Sequence, residues 1–353
     1  MSIEIKSQYI TTPRLTHYVL ESGLETGIPV IFVHGNVITS AYFKQIMLQM
    51  PSKYHCYAYD QRCYGRSSGV SIDATKGLKD FSDDLYYLME TLNIPKAHLL
   101  GWSLGGGVVM QFATEHSDRI LSITLEASIS PYGYYGTKDE RGTLIFPDAA
   151  GSGVGPSALN LKSLFENKNI DENDPKSMVG LFRNAFCKPG NRLPEELERE
   201  YIEEIYLTKI GDDFIPGNYQ ACENWPGWCP GDRGLYNAIS SKCYNVESII
   251  NIEIKPPIVW IRGEDDIIIS DNCLLDPANL GASGKISNYP GEEVYPKQPM
   301  VRQIRSVLER YQENGGRYRE FSIQNCGHSP QLEKEAEFLS IYLENLEENS
   351  SSL

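Results

Sequence analysis

The stretch that decides the fold is His98-Leu-Leu-Gly-Trp-Ser-Leu-Gly-Gly-Gly107. It places Ser103 in a Gly-x-Ser-x-Gly pattern, directly after an apolar strand-like run and at the start of a helix-like segment. A strand-to-helix turn this tight strains the backbone of the serine, and Gly101 and Gly105 lack the side chains that would collide across it. We therefore expect the Ser103 hydroxyl to stand at the top of a sheet as a nucleophile. The alternative is a glycine-rich helix start that only packs closely against the sheet.

Strand-like and helix-like segments alternate on both sides of this turn. The strand-like runs are residues 3–11, 15–21, 30–33, 56–59, 98–100, 120–125, 258–261 and 319–324. The clearest amphipathic helix-like segments are residues 80–92, 104–116, 300–314 and 331–346. A fully apolar run such as residues 30–33 is typical of a strand buried on both faces. The alternation predicts an α/β fold with a mostly parallel sheet flanked by helices.

The alternation breaks once, over residues 130–251, where helical and irregular segments follow one another without this rhythm. We interpret residues 130–251 as a cap inserted into a core domain made of residues 1–129 and 252–353. An acidic amphipathic helix is expected within the cap at residues 194–206. Residues 271–299 are rich in Pro and Gly and are expected to form an ordered surface loop, and the tail from Glu347 is expected to fray.

A serine at its free pKa is a poor nucleophile, so it needs a general base nearby and a carboxylate that orients this base. The chain has six histidines from which the base can come. Only His328 lies on a loop directly after a late strand-like run, at the same sheet edge as Ser103. We therefore predict His328 as the base, the alternative being a histidine of a surface loop before a helix.

The predicted acid lies in Pro257-Ile-Val-Trp-Ile-Arg-Gly-Glu-Asp-Asp266, where a strand-like run leads into three consecutive carboxylates. We choose Asp266 because the chain has room to turn back toward the site in the three residues after Gly263. Asp265 remains the second choice. Glu126, at the end of the strand-like run 120–125, is a geometrically reasonable third.

Attack on a carbonyl also requires donors for the oxyanion. The backbone N–H of Leu104, the residue after the predicted nucleophile, is one candidate. The second is the N–H of Asn36 in Val33-His-Gly-Asn36, where Gly35 allows a close approach. His34 in the same loop can be interpreted as a site residue, but structural support of the loop is the preferred interpretation.

The composition excludes several classes of protein. The chain has 353 residues, and 32 Lys and Arg against 47 Asp and Glu give a net charge of −15. Such a surface repels phosphate backbones and anionic lipid headgroups, so neither a nucleic acid nor a membrane is an expected partner. The N-terminus lacks the apolar core of a signal peptide and no apolar run reaches the length of a membrane span, which favours the cytoplasm. A homodimer is left open.

The eight cysteines show no Cys-x-x-Cys pair and no spacing typical of zinc sites. They are expected to be free thiols, and only the group Cys222, Cys229 and Cys243 is dense enough to keep a disulfide as an alternative. No metal and no cofactor is predicted.

The chain order of the three predicted residues, Ser103, Asp266 and His328, is that of the α/β-hydrolase superfamily, which this sequence resembles over most of its length outside the cap. The resemblance implies an eight-stranded, mostly parallel sheet flanked by helices, with a large cap inserted between the sixth and seventh strands. His34-Gly35 resembles the oxyanion loop of that family.

A second motif carries the same resemblance. Asp60-Gln-Arg-Cys-Tyr-Gly-Arg-Ser67 is similar to the family's Asp-x-Arg-Gly-x-Gly-x-Ser turn, which supports the sheet and the oxyanion loop. The sequence departs from this pattern at Cys63, where the family usually has glycine. The geometry of this turn is therefore open, and a thiol so near the site is expected to be sensitive to oxidation.

The resemblance implies a serine hydrolase that acts without a cofactor through an acyl-enzyme, but it does not name the substrate. The aromatic residues of the cap suit a small to medium hydrophobic carboxylic ester or lactone. The alternatives are acyl transfer or carbon–carbon bond hydrolysis on the same residues, and a hydrolase-like receptor that turns over its ligand slowly. Several aromatic side chains are expected to line the pocket, although each tyrosine and tryptophan of the cap can instead belong to the cap's own core. The predicted pocket residues are His34, Trp102, Tyr132, Tyr134, Tyr135, Trp225 and Trp228.

Overall fold

An eight-stranded sheet forms the centre of the protein, whose computed structural model describes residues 4–350. Its strand order is β1-β2-β4-β3-β5-β6-β7-β8. The strands are β1 (Lys6–Thr11), β2 (Thr16–Gly23), β3 (Ile28–Val33), β4 (Tyr54–Tyr59), β5 (Ala97–Trp102), β6 (Ile120–Glu126), β7 (Ile258–Gly263) and β8 (Tyr318–Ile323).

Within the central sheet of residues 4–350, only the pairings made by β2 are antiparallel. β2 pairs antiparallel with β1 and with β4, and all pairs from β4 across to β8 are parallel. Every residue of β4 and β5 is buried, as expected for central strands covered on both faces. The predicted eight-stranded, mostly parallel sheet is confirmed.

Two layers of helices enclose the sheet. Successive side chains of a strand point to opposite faces, so Ile31 and Phe32 pack in two different cores. Ile31 packs with the helices Lys79–Thr91, Leu104–His116 and Met300–Glu313, and Phe32 packs with the helix Glu335–Ser350. The longer helices are α1 (Lys79–Thr91), α2 (Leu104–His116), α3 (Pro156–Asn167), α4 (Glu195–Ile205), α5 (Met300–Glu313) and α6 (Glu335–Ser350). Short helical turns lie at Ser40–Phe43, Lys44–Met47, Ala74–Lys76, Ser117–Arg119, Met178–Leu181, Phe182–Phe186, Leu235–Ala238, Glu247–Asn251, Pro277–Ala282 and Pro330–Glu333.

The chain between β6 and β7 adds no strand to the central sheet, and all of its residues, 127–257, are described. It contains α3, α4 and two small ribbons, Ile210–Gly211 with Ile215–Pro216 and Tyr219–Ala221 with Trp228–Pro230. The predicted helix 194–206 is α4. Its Glu204 accepts a hydrogen bond of 2.6 Å from Thr39 Oγ1 and forms an ion pair with Arg66 at 2.7 Å. The insertion is thus held against the loop that follows β3.

The segment of residues 271–299 is an ordered stretch of turns and irregular chain, as expected, and most of its residues are exposed or half-buried. It contains the helix Pro277–Ala282, which Asp276 caps by accepting a hydrogen bond from the Ala278 N–H at 2.8 Å. The same carboxylate accepts the N–H of Gln298 at 3.0 Å, which closes the segment on itself. Tyr295 is almost fully buried, so the segment packs as part of the fold.

The C-terminal segment differs from expectation. The predicted helix 331–346 is broken at Lys334 into a short turn and α6. α6 does not fray from Glu347 but continues to Ser350, whose Oγ lies 3.1 Å from Nε2 of His98. Residues 351–353 of the expected tail, and residue 3 of the first expected strand, lie outside the described residues. Within residues 4–350, none of the helices combines the length and the apolar character that crossing a membrane requires.

Candidate active site

Ser103 lies in the turn between β5 and α2 with φ 54° and ψ −116°. Residues other than glycine rarely adopt this backbone conformation. The two motif glycines make this turn possible. A Cβ on Gly105 would collide with the Val33 carbonyl, and a Cβ on Gly101 would collide with the Gly105 carbonyl. The strained conformation expected from the sequence is therefore present. The side chain does not stand free, however, because Ser103 is only 8% exposed.

The structure brings Ser103, His328 and Asp266 together. His328 Nε2 lies 2.9 Å from Ser103 Oγ, and His328 Nδ1 lies 2.7 Å from Asp266 Oδ2. The other carboxylate oxygen of Asp266 accepts the N–H groups of Ile268 and Ile269 at 2.8 and 3.0 Å. When Nδ1 carries its proton toward the carboxylate, Nε2 is left as an acceptor for the serine hydroxyl.

The two other candidate carboxylates do not contact His328. Asp265 is exposed and forms an ion pair of 2.9 Å with Lys188. Glu126 is fully buried, and its Oε1 accepts the N–H of Gln331 at 3.0 Å. Burial raises the pKa of Glu126 to about 8, so this side chain holds its proton at neutral pH.

The loop that carries His328 is fixed from several sides. Trp102 Nε1 donates a hydrogen bond of 2.7 Å to the His328 carbonyl. Glu333 accepts the N–H of Gly327 at 2.9 Å with one oxygen and the N–H of Lys188 at 2.8 Å with the other. Lys188 belongs to the insertion between β6 and β7, so Glu333 joins this insertion to the histidine loop.

His34 lies inside the loop after β3 and does not line a pocket. It is fully buried, and its Nε2 accepts the N–H of Gln61 at 3.0 Å, so Nδ1 carries the proton and donates to the Gly35 carbonyl at 2.7 Å. Burial lowers the pKa of His34 to about 4, which keeps the ring neutral. The structure therefore favours the supporting role over a role in the site.

The backbone N–H groups of Asn36 and Leu104 are both available as donors. Within residues 4–350, neither donates to a protein acceptor. Both residues flank the nucleophile, because Leu104 follows Ser103 directly and a Cβ on Gly35 would lie 3.1 Å from Ser103 Cβ. The arrangement provides two unused donors next to the serine.

The predicted aromatic pocket residues fall into two groups. Tyr134 and Tyr135 are half-buried near the acid, since the Tyr134 hydroxyl donates to the carbonyl of Ile268 at 3.2 Å. Four others pack elsewhere: Trp102 stacks on Tyr42 behind the site, Tyr132 donates to Glu247, Trp225 donates to Ser287, and Trp228 packs against Gly155. These four are packing positions, and all but Trp225 are almost fully buried.

Two tyrosines that sequence reasoning missed lie next to the oxyanion loop. Tyr64 Oη donates to Asn36 Oδ1 at 2.7 Å, and Asn36 Nδ2 donates to Tyr236 Oη at 3.1 Å. Tyr64 lies in the turn of residues 60–67, which carried the family resemblance. Tyr236 had no signal in the sequence, because it reaches Asn36 from the short helix Leu235–Ala238, 200 positions away.

Cys63, where the family pattern usually has glycine, keeps the backbone conformation that glycine favours. Its φ is 69°, the left-handed region that glycine adopts without strain. The thiol is fully buried and donates to the Val70 carbonyl at 2.9 Å. The turn keeps its shape with cysteine at the cost of local backbone strain.

Two clefts open on the surface near the insertion. One, of about 420 Å³, is bordered by Lys188, Asp265 and Asp266, and so reaches the acid side of the site. The other, of about 490 Å³, lies between Thr75 of the core and Asp232 of the insertion.

One group of side chains among residues 4–350 has a spacing that could hold a metal ion, namely Asp83, Glu115 and His116. Lys79 already forms ion pairs with Asp83 at 2.9 Å and with Glu115 at 3.3 Å. These residues lie on α1 and α2, and none of them belongs to the group around Ser103.

Comparisons with known protein sequences identify a matching family and several distant relatives. The profile of a family described as alpha/beta hydrolase fold matches residues 28–280. The uncharacterized carboxylesterase nap of Bacillus subtilis is 28% identical over 123 residues, 35% of this chain and 41% of that protein. A proline iminopeptidase of Neisseria meningitidis is 24% identical over 243 residues, 66% of this chain and 75% of that protein. The chain thus spans less than half the length of some curated relatives, such as nap.

Solved structures show the same architecture. An esterase of Exiguobacterium antarcticum superposes with a TM-score of 0.59 at 16% identity and covers 97% of this chain and 100% of its own. The 2-hydroxy-6-oxo-6-phenylhexa-2,4-dienoate hydrolase of Rhodococcus sp. strain RHA1 gives a TM-score of 0.60 at 14% identity, covering 98% and 100%. At such identities the likeness concerns the fold.

Proposed function

Because the chain belongs to the α/β-hydrolase fold family, we propose that it hydrolyses a carboxylic ester or lactone through an acyl-enzyme on Ser103. The observation that carries this proposal is the line of hydrogen bonds from Ser103 Oγ through His328 to Asp266, at 2.9 and 2.7 Å. Such a line allows the imidazole to accept the hydroxyl proton while the oxygen attacks a carbonyl carbon.

In the proposed reaction Ser103 Oγ attacks the substrate carbonyl as its proton moves to His328 Nε2. The N–H groups of Asn36 and Leu104 stabilise the oxyanion. The carbon–oxygen bond to the alcohol then breaks, and His328 gives its proton to the leaving oxygen. A water molecule then attacks the acyl carbon while His328 Nε2 takes its proton. The bond to Ser103 Oγ breaks, the same nitrogen returns this proton to Oγ, and the acid is released. Asp266 remains ionised and stabilises the imidazolium.

A small to medium hydrophobic substrate fits the surroundings of Ser103. We assign residues 130–251 as the cap over the site, because Lys188 and Tyr236 of this segment contact the histidine loop and the oxyanion loop. Half-buried tyrosine rings supply apolar surface with polar tips, and those near the site are Tyr134, Tyr135 and Tyr236. The carboxylesterase name of one relative is in line with an ester substrate.

Labelling with a fluorophosphonate probe tests the proposal. We expect one adduct in the intact mass of the wild type and none in Ser103→Ala, and we expect this variant to retain less than about 1% of the hydrolysis of p-nitrophenyl esters. Ser283→Ala, an exposed serine far from His328 in sequence, is the matched control and should label normally. Hydrolysis by a folded Ser103→Ala variant at the wild-type rate would refute the assignment.

A second candidate is a hydrolase-like receptor, and the low exposure of Ser103 favours it. A receptor of this kind would bind an ester or lactone and consume it slowly or not at all. Thermal stabilisation by a ligand that is recovered intact, together with the absence of a probe adduct on folded wild type, would favour the receptor. Product analysis with an added acceptor alcohol separates hydrolysis from acyl transfer.

A further inference from the structure

The side chain of Asn36 forms three hydrogen bonds, and in each of them the donor and the acceptor can be assigned. The Val37 N–H donates to Asn36 Oδ1 at 3.0 Å, and since a backbone N–H can only donate, this oxygen is the acceptor. The Tyr64 hydroxyl, 2.7 Å from the same oxygen, must therefore also donate. The amide nitrogen then faces Tyr236 and donates to its hydroxyl oxygen at 3.1 Å.

This arrangement leaves the proton of the Tyr236 hydroxyl unused. The phenolic oxygen already accepts a hydrogen bond from Asn36, and its own O–H has no acceptor within residues 4–350. Burial raises the pKa of Tyr236 to about 12, so the proton is present at neutral pH. This O–H group is therefore available to donate to an oxygen of a bound ligand.

Tyr236 is the one residue of its short helix that retains accessible surface. Leu235, Asn237 and Ala238 are fully buried, whereas Tyr236 is half-buried. Its ring packs with both hydrophobic cores of the molecule, at the boundary between the insertion and the sheet. The hydroxyl thus lies at this boundary, in contact with the side chain of Asn36 in the oxyanion loop.

The loop that contains Asn36 adjoins Ser103. Asn36 follows Gly35, and a Cβ on Gly35 would lie 3.1 Å from Ser103 Cβ. We propose that the Tyr236 hydroxyl is a catalytic hydrogen-bond donor to an oxygen of the acyl substrate, beside the carbon that Ser103 attacks. This inference rests on the proposed esterase function and adds a donor from the insertion to the two backbone N–H groups.

The donor is preorganised by the packing of its helix. The N–H of Leu235 donates to the Phe214 carbonyl at 2.8 Å, and the N–H of Gly234 donates to the Ile72 carbonyl at 2.9 Å. Asn237 Nδ2 donates to the Arg233 carbonyl at 2.7 Å. A donor fixed before the substrate arrives stabilises developing negative charge without reorganisation during the reaction.

Tyr236→Phe removes the donor and retains the ring. We expect kcat for a p-nitrophenyl ester to fall by about 100-fold while KM stays within about twofold, because the bond strengthens as the oxyanion forms. The inhibition constant of a trifluoromethyl ketone with the same acyl chain should rise by a similar factor, since its hemiketal oxygen mimics the oxyanion. Tyr206→Phe, a half-buried tyrosine of the insertion bonded to the Asn169 carbonyl, is the matched control and should leave all three values unchanged.

A second variant keeps the tyrosine in place. In Asn36→Asp the carboxylate accepts the Tyr236 proton, so the donor is withdrawn from the substrate. Adding Tyr236→Phe to this variant should then lower kcat by less than about threefold further. A full and additive loss would overturn the proposal, as would unchanged kcat and ketone affinity in folded Tyr236→Phe.

The failure of this inference is distinct from the failure of the proposed function. If the wild type hydrolyses the ester and Ser103→Ala does not, the function stands, and the Tyr236 variants alone decide the inference. If the wild type neither labels nor hydrolyses, the function fails and the inference is overturned with it. A rise in KM with unchanged kcat in Tyr236→Phe would assign the residue to substrate packing and would also overturn the donor role.

Discussion

Two neighbouring carboxylates differ in what they contact. Asp266 is 6% exposed and contacts His328, whereas Asp265 is exposed and pairs with Lys188. Their side chains have the same chemistry and lie one position apart, so the difference between them comes from the loop after β7. The pair therefore offers a controlled test of the assigned acid.

We expect Asp266→Asn to lower kcat for ester hydrolysis by about 10³ to 10⁴-fold at pH 7, because an amide neither holds the imidazole in the required tautomer nor stabilises its charged form. Asp265→Asn should stay within about threefold of the wild type, since it loses only an exposed ion pair. Steady-state kinetics on both variants provide the measurement. Equal losses in the two variants would contradict the assignment.

The buried carboxyl group of Glu126 makes the free energy of unfolding depend on pH. Its folded pKa of about 8 lies above the ordinary value of 4.5, so the unfolded chain releases this proton at a lower pH than the folded protein does. The contribution of Glu126 to the free energy of unfolding therefore falls as pH rises from 4.5 to 8, by at most about 1.4 kcal/mol per pH unit, and is constant above that range.

In Glu126→Gln this contribution is removed, because the amide has the shape of the protonated acid and does not titrate. Urea unfolding at pH 5, 6, 7 and 8 should show the stability of the variant relative to the wild type rising with pH. Asp276, whose pKa burial raises to about 6, titrates in both proteins and cancels in the comparison. Parallel curves for the two proteins would show that Glu126 is ionised in the folded state.

At the scale of elements, the turn Pro330–Glu333 links the insertion to the histidine loop. Glu333 accepts hydrogen bonds from the N–H groups of Gly327 and Lys188 and from Asn191 Nδ2, at 2.9, 2.8 and 2.6 Å. Bonds to a charged acceptor are about twice as strong as neutral ones. One carboxylate thus joins the loop that carries His328 to residues 188–191 of the insertion.

We expect Glu333→Ala to lower the free energy of unfolding by about 2 to 4 kcal/mol and to loosen the segment around Lys188. Trypsin should then cleave after the exposed Arg192 faster than in the wild type, because local opening exposes this bond more often. Glu337→Ala, an exposed position on α6, is the control. Unchanged proteolysis in the Glu333 variant would mean that other contacts hold the segment.

The sequence alone predicts those structural elements that depend on residues close together in the chain. The strands were found because apolar runs mark buried strands, and the Ser103 turn because only glycines fit beside it. Tyr236 and Glu333 were missed because their partners are 200 and 145 positions away, and their roles exist only after the insertion has docked. The burial of Ser103 was missed for the same reason, since it depends on contacts between residues that are distant in the sequence.

At the scale of the whole molecule, the eight cysteines are all free, and six are buried. The two partly exposed thiols are Cys222 and Cys243, and burial raises the pKa of both. In native protein at pH 8 we expect slow reaction of at most these two thiols with Ellman's reagent, because the thiolate is the reactive form. Under denaturing, non-reducing conditions all eight should react.

The double variant Cys222→Ser with Cys243→Ser is the control and should show no reactive thiol while it is folded. A total of six thiols in denatured wild type would reveal a disulfide, which is the alternative that the spacing of Cys222, Cys229 and Cys243 had left open. Rapid reaction of Cys63 would contradict its burial.

The order in which the chain supplies its site has a consequence for biosynthesis. Ser103 is made first, the insertion follows, and His328, 225 positions after the serine, comes with the last strand of the sheet. During synthesis the proposed nucleophile is therefore made well before the proposed base. Until β8 has joined the sheet edge and Trp102 has bonded the histidine loop, Ser103 is an ordinary alcohol. Under the proposed mechanism the nascent chain is therefore unreactive, and hydrolysis begins only when the fold is complete.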